Sequence, residues 1–322
     1  MTGAARDTGR TRADYVNRIN RVMDYIEAHL EDDLSLERLA RIACFSRFHF
    51  HRIFQSVTGE RLAAFIQRIR LERAATLLRN GHGNTITGVA LMCGFASSAS
   101  FANAFKRHFG TSASGFKNGK RAVPKKRYIV MPDEDRDSLD IRMERGRGRL
   151  SYHVKGTGYR RRVDVVELPP WNVAYIRYTG PYKGDTLLFG RLWRKLAVWA
   201  APRGLLDRPG AVYLTLCHDD PEITLEEKLR VSVCIGVDET TATSGEVGKM
   251  KLPGGTYACC RFHLGSEDYP KAWGWMYGSW LPLSGYLPDD RPAFEWFPPC
   301  QAQKGGGKTD IDICVPVKTS PR

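Results

Sequence analysis

The sequence predicts a two-domain chain: an N-terminal all-α tandem helix-turn-helix, then an α+β domain of two repeated strand-helix-strand-strand halves. Three observations carry this. Basic charge is concentrated at one end: residues 1–127 hold 22 Lys+Arg against 10 Asp+Glu, whereas residues 128–322 hold 27 against 25. A helical pattern in the first part repeats about fifty residues on, and a mixed pattern in the second part repeats 80–84 residues on. At 322 residues the chain is long enough for two or three domains with cores of their own.

The first helix is read from "YVNRINRVMDYIEAHL", where Val16, Ile19, Met23, Ile26 and Leu30 recur at steps of three and four and make one apolar face. Ser35 suits the N-cap of a second helix whose Leu36, Leu39, Ala40 and Ala43 face inward. After a break at Cys44-Phe45, Ser46 suits the cap of a third helix, "RFHFHRIFQSV", which Gly59 ends. Ile86, Val89, Ala90 and Cys93 then echo Leu36, Leu39, Ala40 and Ala43. Phe101, Phe105 and Gly110 echo Phe50, Phe54 and Gly59 at an offset of 51. One long helix, "RLAAFIQRIRLERAATLLRNG", joins the copies with Leu62, Phe65, Ile66, Ile69, Leu77 and Leu78 inward. Two short-helix, turn, exposed-helix units on a stiff spacer make a tandem helix-turn-helix.

"FSRFHFHRIFQSVTG", "RLERAATLL" and "CGFASSASFANAFKRHFGTSASGFK" resemble the AraC/XylS-type DNA-binding domain over about residues 15–118. Ala113 departs from the family, which usually has proline there. The resemblance implies that the basic half binds double-stranded promoter DNA. With Phe50, Ile53 and Phe54 in the core, Arg47, Phe48, His51 and Arg52 are left for the groove side of the first exposed helix. Arg52 is the foremost base reader, because a guanidinium can pair with both guanine acceptors; His51 and Phe48 sit where family members place base-edge and thymine-methyl contacts. A phosphate contact or a solvated side chain is the alternative for each. The second exposed helix presents Ser97, Ser98, Ala99, Ser100 and Asn103, with Lys106 and Arg107 suited to phosphates. The first unit is therefore expected to carry most sequence discrimination, the second mainly affinity.

Residues 12–118 form the expected DNA-binding domain and 119–160 a charged, glycine-rich linker, with a short strand at Tyr128–Met131. From 161 to 318 "VELPPWNVAYIRYTGPY" matches "MKLPGGTYACCRFHLGS", and "RVSVCIGV" matches "DIDICVPV" with alternating Val231, Val233, Ile235 and Ile311, Ile313, Val315. A cleft between two similar halves is a natural ligand site. "VAYIRYTGPY", "CHDDP", "SWLPLSGY" and "PAFEWF" together resemble the GyrI-like, SbmC-type small-molecule-binding domain, which is also found in multidrug-sensing regulators.

Within "PAFEWF" strand alternation puts Glu295 on the face of Phe297, away from Phe294 and Trp296. A carboxylate in that apolar setting is costly unless paired. The resemblance implies that it meets a cationic, lipophilic effector in an aromatic cleft. Tyr182, Trp273, Trp280 and Phe297 are nominated for that cage; Trp193, Trp273 and Trp275 fall on helices where an aromatic is more often core, and Trp280 is the favoured wall. The alternative for Glu295 is an internal ion pair with Arg177 or Arg261.

Together these readings imply a cytoplasmic, ligand-responsive transcriptional regulator whose partners are promoter DNA, a small-molecule effector and RNA polymerase. The competing reading is a GyrI-like hydrolase of reactive, drug-like electrophiles. In it Glu295 would act as general base, and Tyr182 or Tyr178 would orient the substrate. No Ser/His/Asp or Cys/His arrangement and no phosphate-cradling glycine loop supports it, so the expectation is no enzyme, no catalytic residue and no cofactor. The eight cysteines lack metal-ligand spacing, so no metal site and reduced thiols are expected. No apolar run of about 18 residues points to a membrane span, and "MTGAARDTGR" lacks the apolar core of a signal peptide.

Overall fold

The computed structural model describes residues 3–79, 85–118, 140–146, 149–156, 159–206, 208–298 and 308–319. Contacts divide the chain into two compact units.

The first unit is helical. Helix α1 (Gly3–Ala28) begins well before the apolar stripe read from the sequence, and α2 (Leu36–Ile42) and α3 (Arg47–Thr58) form the first helix-turn-helix. Helix α4 (Leu62–Arg79) leads to the second, α5 (Ile86–Met92) and α6 (Ser98–Phe109), with α7 (Ala113–Lys117) following. Leu62, Phe65 and Ile69 at the start of α4 enter one core with Ile19, Ile26, Phe50 and Phe54. Leu71, Ala74, Leu77 and Leu78 near its end enter a second core with Val89, Phe101 and Phe105. One helix therefore serves both cores, which is why it is apolar on more than one side.

The two tight turns use different residues for the same backbone. Cys44 has φ 53° and Gly94 has φ 76°, the left-handed region that costs a side-chain-bearing residue about 1–2 kcal/mol. Ser35 and Ser46 occupy N-cap positions with extended backbone but make no side-chain cap bond. At α5, α6 and α7 the caps Thr85, Ser97 and Ser112 do accept from the N–H of Gly88, Ser100 and Gly115.

A charged cluster is buried beneath α4. Arg68 donates to Glu60 at 2.6 Å and to Glu72 at 3.0 Å, and Lys228 lies 3.7 Å from Glu60. Lys228 arrives from far along the chain: Asp219–Lys228 and Ala242–Lys249 belong to this unit. Ile223 is buried in the second core, and Arg79 pairs with Asp220 and, at 3.1 Å, with Glu222. Asn17 Nδ2 donates to the carbonyl of Val247 at 3.0 Å.

The second unit is one long antiparallel sheet. Its strands are β1 (Asp140–Gly146), β2 (Arg149–Gly156), β3 (Tyr159–Leu168), β4 (Trp171–Thr179), β5 (Tyr213–Cys217), β6 (Arg230–Gly236), β7 (Gly248–Leu252), β8 (Gly255–Leu264), β9 (Tyr286–Pro288), β10 (Phe294–Phe297) and β11 (Thr309–Thr319). They run in the order β1-β2-β3-β8-β11-β10-β5-β6-β4-β7, with β9 paired to β11. The order β8-β11-β10 on one side matches β4-β6-β5 on the other, and β10 meets β5 at the centre. Each strand that precedes a half crosses over: β3 pairs with β8, and β7 pairs with β4.

Helix α8 (Thr186–Ala200) packs on β4 and β6. Helix α9 (Tyr269–Trp275) continues through a π turn, Met276–Trp280, into α10 (Leu281–Leu283). Ala272, Trp275, Met276 and Trp280 pack there with Ile311, Ile313, Val315 and Val163. On the opposite face Tyr175, Leu214, Leu216, Tyr257, Phe294 and Cys314 form a separate core. Residues 140–146 and 149–156, read as linker, form the paired strands β1 and β2, and β2 pairs onward with β3. The strand expected at Tyr128–Met131 lies outside the described residues.

Candidate functional site

The exposed helices present the residues expected to meet DNA. On α3, Arg47, His51 and Arg52 are exposed while Phe50 and Phe54 are fully buried. The side chain of Phe48 is outside the described set. Arg47 lies 3.7 Å from Glu37 with both side chains largely in solvent, a pairing weak enough to exchange for a phosphate. On α6, Ser98, Ser100, Asn103, Lys106 and Arg107 are exposed while Phe101 and Phe105 are buried. Ser100 is tied down locally: its hydroxyl donates to the Ser97 carbonyl at 2.8 Å. Asn103 is left with the longest neutral polar arm on that surface.

The second site is built on the central strand pair of the sheet. Glu295 stands directly opposite Thr215 where β10 meets β5. It is 7% exposed. Phe294 and Trp296 turn to the other face, where both meet Trp171. On the Glu295 side, α9 brings Trp273, whose indole nitrogen donates to Glu295 Oε1 at 3.0 Å. Trp273 stacks on exposed Tyr277, ring centroids 6.1 Å apart and planes 15° from parallel. From the other side, α8 brings Trp193 edge-on to Phe297 at 5.6 Å and against Tyr213 at 6.3 Å.

Among the described residues Glu295 has no counter-ion. Burial pushes it up to about 7, and the Trp273 N–H partly opposes that rise. Burial, then the Glu295 charge, likewise pushes the Tyr269 phenol up, so this hydroxyl lies within the carboxylate's field. The internal ion pairs considered from the sequence are not formed. Arg261 is engaged by Asp312 at 2.7 Å, while Arg177 faces Ser232 and His218. Among the described residues no cation shares the site, and Trp273 and Phe297 flank it. A buried carboxylate so placed suits a cation that brings its own apolar surface.

The structure thus brings Glu295, Trp273 and Phe297 together, and packs the other two nominated aromatics elsewhere. Trp280 is 0% exposed and packs edge-on against Tyr152 in the core beneath α9; the π turn carries it under the helix rather than along the wall. Tyr182 is buried just beyond β4 and packs edge-on against Phe189 at 6.1 Å. Trp193, which its helical position assigned to the core, is only half-buried and completes the wall in place of Trp280. Thr215 and Tyr213 were missed; the signal for Thr215 is one hydroxyl inside an otherwise apolar strand, "YLTLC".

His218 hydrogen-bonds Ser232 at 2.8 Å. Ser232 is fully buried, on the face that carries Cys234 and Leu216 rather than Glu295. Among the described residues no group of His, Cys, Asp and Glu could hold a metal ion, and no helix is long and apolar enough to cross a membrane. The described cysteines are free thiols, with Cys44 exposed and Cys217 and Cys259 half-buried.

Comparison with known proteins follows the same division. Residues 161–318 match the GyrI-like small molecule binding domain, and residues 39–119 match a helix-turn-helix domain of the AraC type. An uncharacterized HTH-type transcriptional regulator, YbfP of Bacillus subtilis, is 31% identical over 153 residues, which cover 45% of this chain and 51% of that protein. A DNA gyrase inhibitor of Yersinia enterocolitica is 29% identical over 158 residues, 46% of this chain and 92% of that protein. The transcriptional regulator Rob of Salmonella typhimurium is 28% identical over 135 residues, 37% and 46% of the two chains. The chain thus spans about half the length of YbfP and of Rob.

Proposed function

Since the chain carries an AraC-type helix-turn-helix domain and a GyrI-like small-molecule-binding domain, we propose that it is a DNA-binding transcriptional regulator controlled by a small, lipophilic cation. The observation that carries the reading is Glu295, a buried carboxylate with an indole N–H as its partner and aromatic rings from α8, α9 and β10 around it. Ion pairing in a partly desolvated cleft gains more than in water, and each aromatic face adds about 0.5–2 kcal/mol. Double-stranded promoter DNA is held through α3 and α6. Occupancy of the cleft alters engagement of DNA or of RNA polymerase, and the protein acts in the cytoplasm, where its promoter is.

The test is calorimetry and thermal shift of aromatic cations against the wild type and Glu295→Gln. The substitution keeps shape and removes charge, so a cation sensor loses its binders. Binders indifferent to the substitution would make Glu295 a structural acid.

A further inference from the structure

The strand opposite Glu295 carries a polar group with nothing to bind. Thr215 is 2% exposed, and its hydroxyl is buried without a hydrogen-bond partner among the described residues. Leu214 and Leu216 on either side are fully buried on the other face of the sheet. Thr215 and Glu295 are direct cross-strand partners; such pairs share a face, with Cβ atoms about 4.5–5.5 Å apart. A valine would fill this volume without the cost of an unpaired buried hydroxyl.

The carboxylate beside it is also only partly used. Oε1 accepts from Trp273, while an ionised carboxylate offers about four acceptor directions. The threonine oxygen and the remaining carboxylate positions are thus neighbouring acceptors on one face of the sheet, with Trp273 bonded to the carboxylate and Trp193 against the flanking Phe297 and Tyr213. Resting on the cation-sensing reading above, we infer that Thr215 and Glu295 act as a two-point acceptor, so that the effector is an aromatic cation with adjacent N–H donors, an amidinium, guanidinium or primary ammonium, rather than a quaternary cation. A forked N–H cation satisfies both groups at once. A quaternary ammonium has the charge but no donor and leaves the Thr215 hydroxyl orphaned, which is the situation in which polar sites discriminate most strongly.

Two probes of similar size and equal charge separate the ideas: benzamidinium and phenyltrimethylammonium, titrated calorimetrically into the full chain at pH 8. The wild type should bind benzamidinium at least tenfold more tightly. Thr215→Val should weaken benzamidinium by about tenfold and leave phenyltrimethylammonium within twofold, while Thr215→Ser, which restores a hydroxyl, keeps the preference. Thermal melting of both variants establishes that they fold. Glu295→Gln should weaken both probes. An unchanged preference in Thr215→Val, or a wild-type preference for phenyltrimethylammonium, overturns the inference while leaving the cation site standing. Glu295→Gln binding both probes as the wild type does, or no binding of either probe to the wild type at millimolar concentration, overturns the cation site and the inference with it.

Discussion

The indole nitrogen of Trp273 donates to Glu295 Oε1 at 3.0 Å, and it is the one hydrogen bond this buried carboxylate makes among the described residues. One neutral donor cannot replace the water lost. Burial therefore raises the group from an ordinary 4.5 to about 7. Between those values the folded protein keeps a proton that the unfolded chain has released. Stability from this group is complete below about pH 4.5 and is lost as pH rises through about 7. Glu295→Gln removes the titration. By denaturant unfolding, wild type and variant should differ little at pH 4.5, and by pH 8 the variant should be the more stable by on the order of 3 kcal/mol. Parallel pH profiles would show that the carboxylate is solvated after all.

The same titration couples to binding. A cation requires the ionised carboxylate, so each unit of pH below about 7 should cost benzamidinium up to tenfold in affinity. Binding there should release a proton, visible as a dependence of the calorimetric heat on the ionisation enthalpy of the buffer. A flat profile from pH 5.5 to 8 would contradict the coupling.

Much of this site was legible because strand alternation is rigid: in "PAFEWF" the period of two puts Glu295 and Phe297 on one face whatever the rest of the chain does. What helices contribute was harder to read. A period of 3.6 separates inside from outside, but Trp193, between Leu192 and Arg194, sits at the margin of the stripe, and no local pattern shows that it reaches β10. Trp280 is the last residue of a π turn, which shifts the face on which its side chain emerges. The β1–β2 pair was missed although Ile141 and Met143, and then Leu150, Tyr152 and Val154, alternate with polar residues, because the charge and glycine around these short runs read as linker. The place of the Asp219–Lys228 segment was not legible, because its partners, Arg79 and Glu60, lie far away in sequence.

The DNA-facing helices make a graded prediction. Arg52 is exposed on α3 with a guanidinium able to address two acceptors, and Arg52→Ala should cost about 1–3 kcal/mol and relax preference at one base position. Lys106 near the end of α6 suits phosphate, so Lys106→Ala should weaken all sequences alike and lower the salt slope by about one. Selection of bound sites from a random library, with salt titrations, measures both. If Asn103→Ala relaxed the preference as much as Arg52→Ala, the division of labour between the two units would be wrong.

Arg79 holds the Asp219–Lys228 segment by two carboxylates at once, Asp220 and Glu222, next to the buried Ile223. The pairs are about three-quarters buried on the arginine side, so screening by water is incomplete. Arg79→Ala should destabilise the helical unit by about 1–2 kcal/mol and Ile223→Ala by about 2 kcal/mol. Both should speed amide exchange across 219–228 before the sheet is affected. Unchanged exchange there would mean that the ion pairs add nothing to docking of the segment.

The two helix-turn-helix turns offer substitutions of opposite sign. Gly94 has φ 76°, and a Cβ built on it would lie 2.0 Å from the Leu30 carbonyl oxygen and 2.7 Å from the Arg70 guanidinium. Arg70 could swing away, but the carbonyl is backbone and accepts from Arg70 Nε at 2.9 Å, so it cannot retreat without breaking that bond. Gly94→Ala therefore meets both a disfavoured backbone and a collision, and should cost about 3 kcal/mol or more. Cys44 adopts φ 53° with an exposed side chain and already bears the backbone cost. Cys44→Gly should relieve about 1–2 kcal/mol of that strain and give back up to about 1 kcal/mol through the greater freedom of glycine in the unfolded chain, a net gain of roughly 0.5–1 kcal/mol. Urea unfolding of the two variants measures this directly, and destabilisation by Cys44→Gly would mean that the cysteine side chain contributes packing worth more than the strain it imposes.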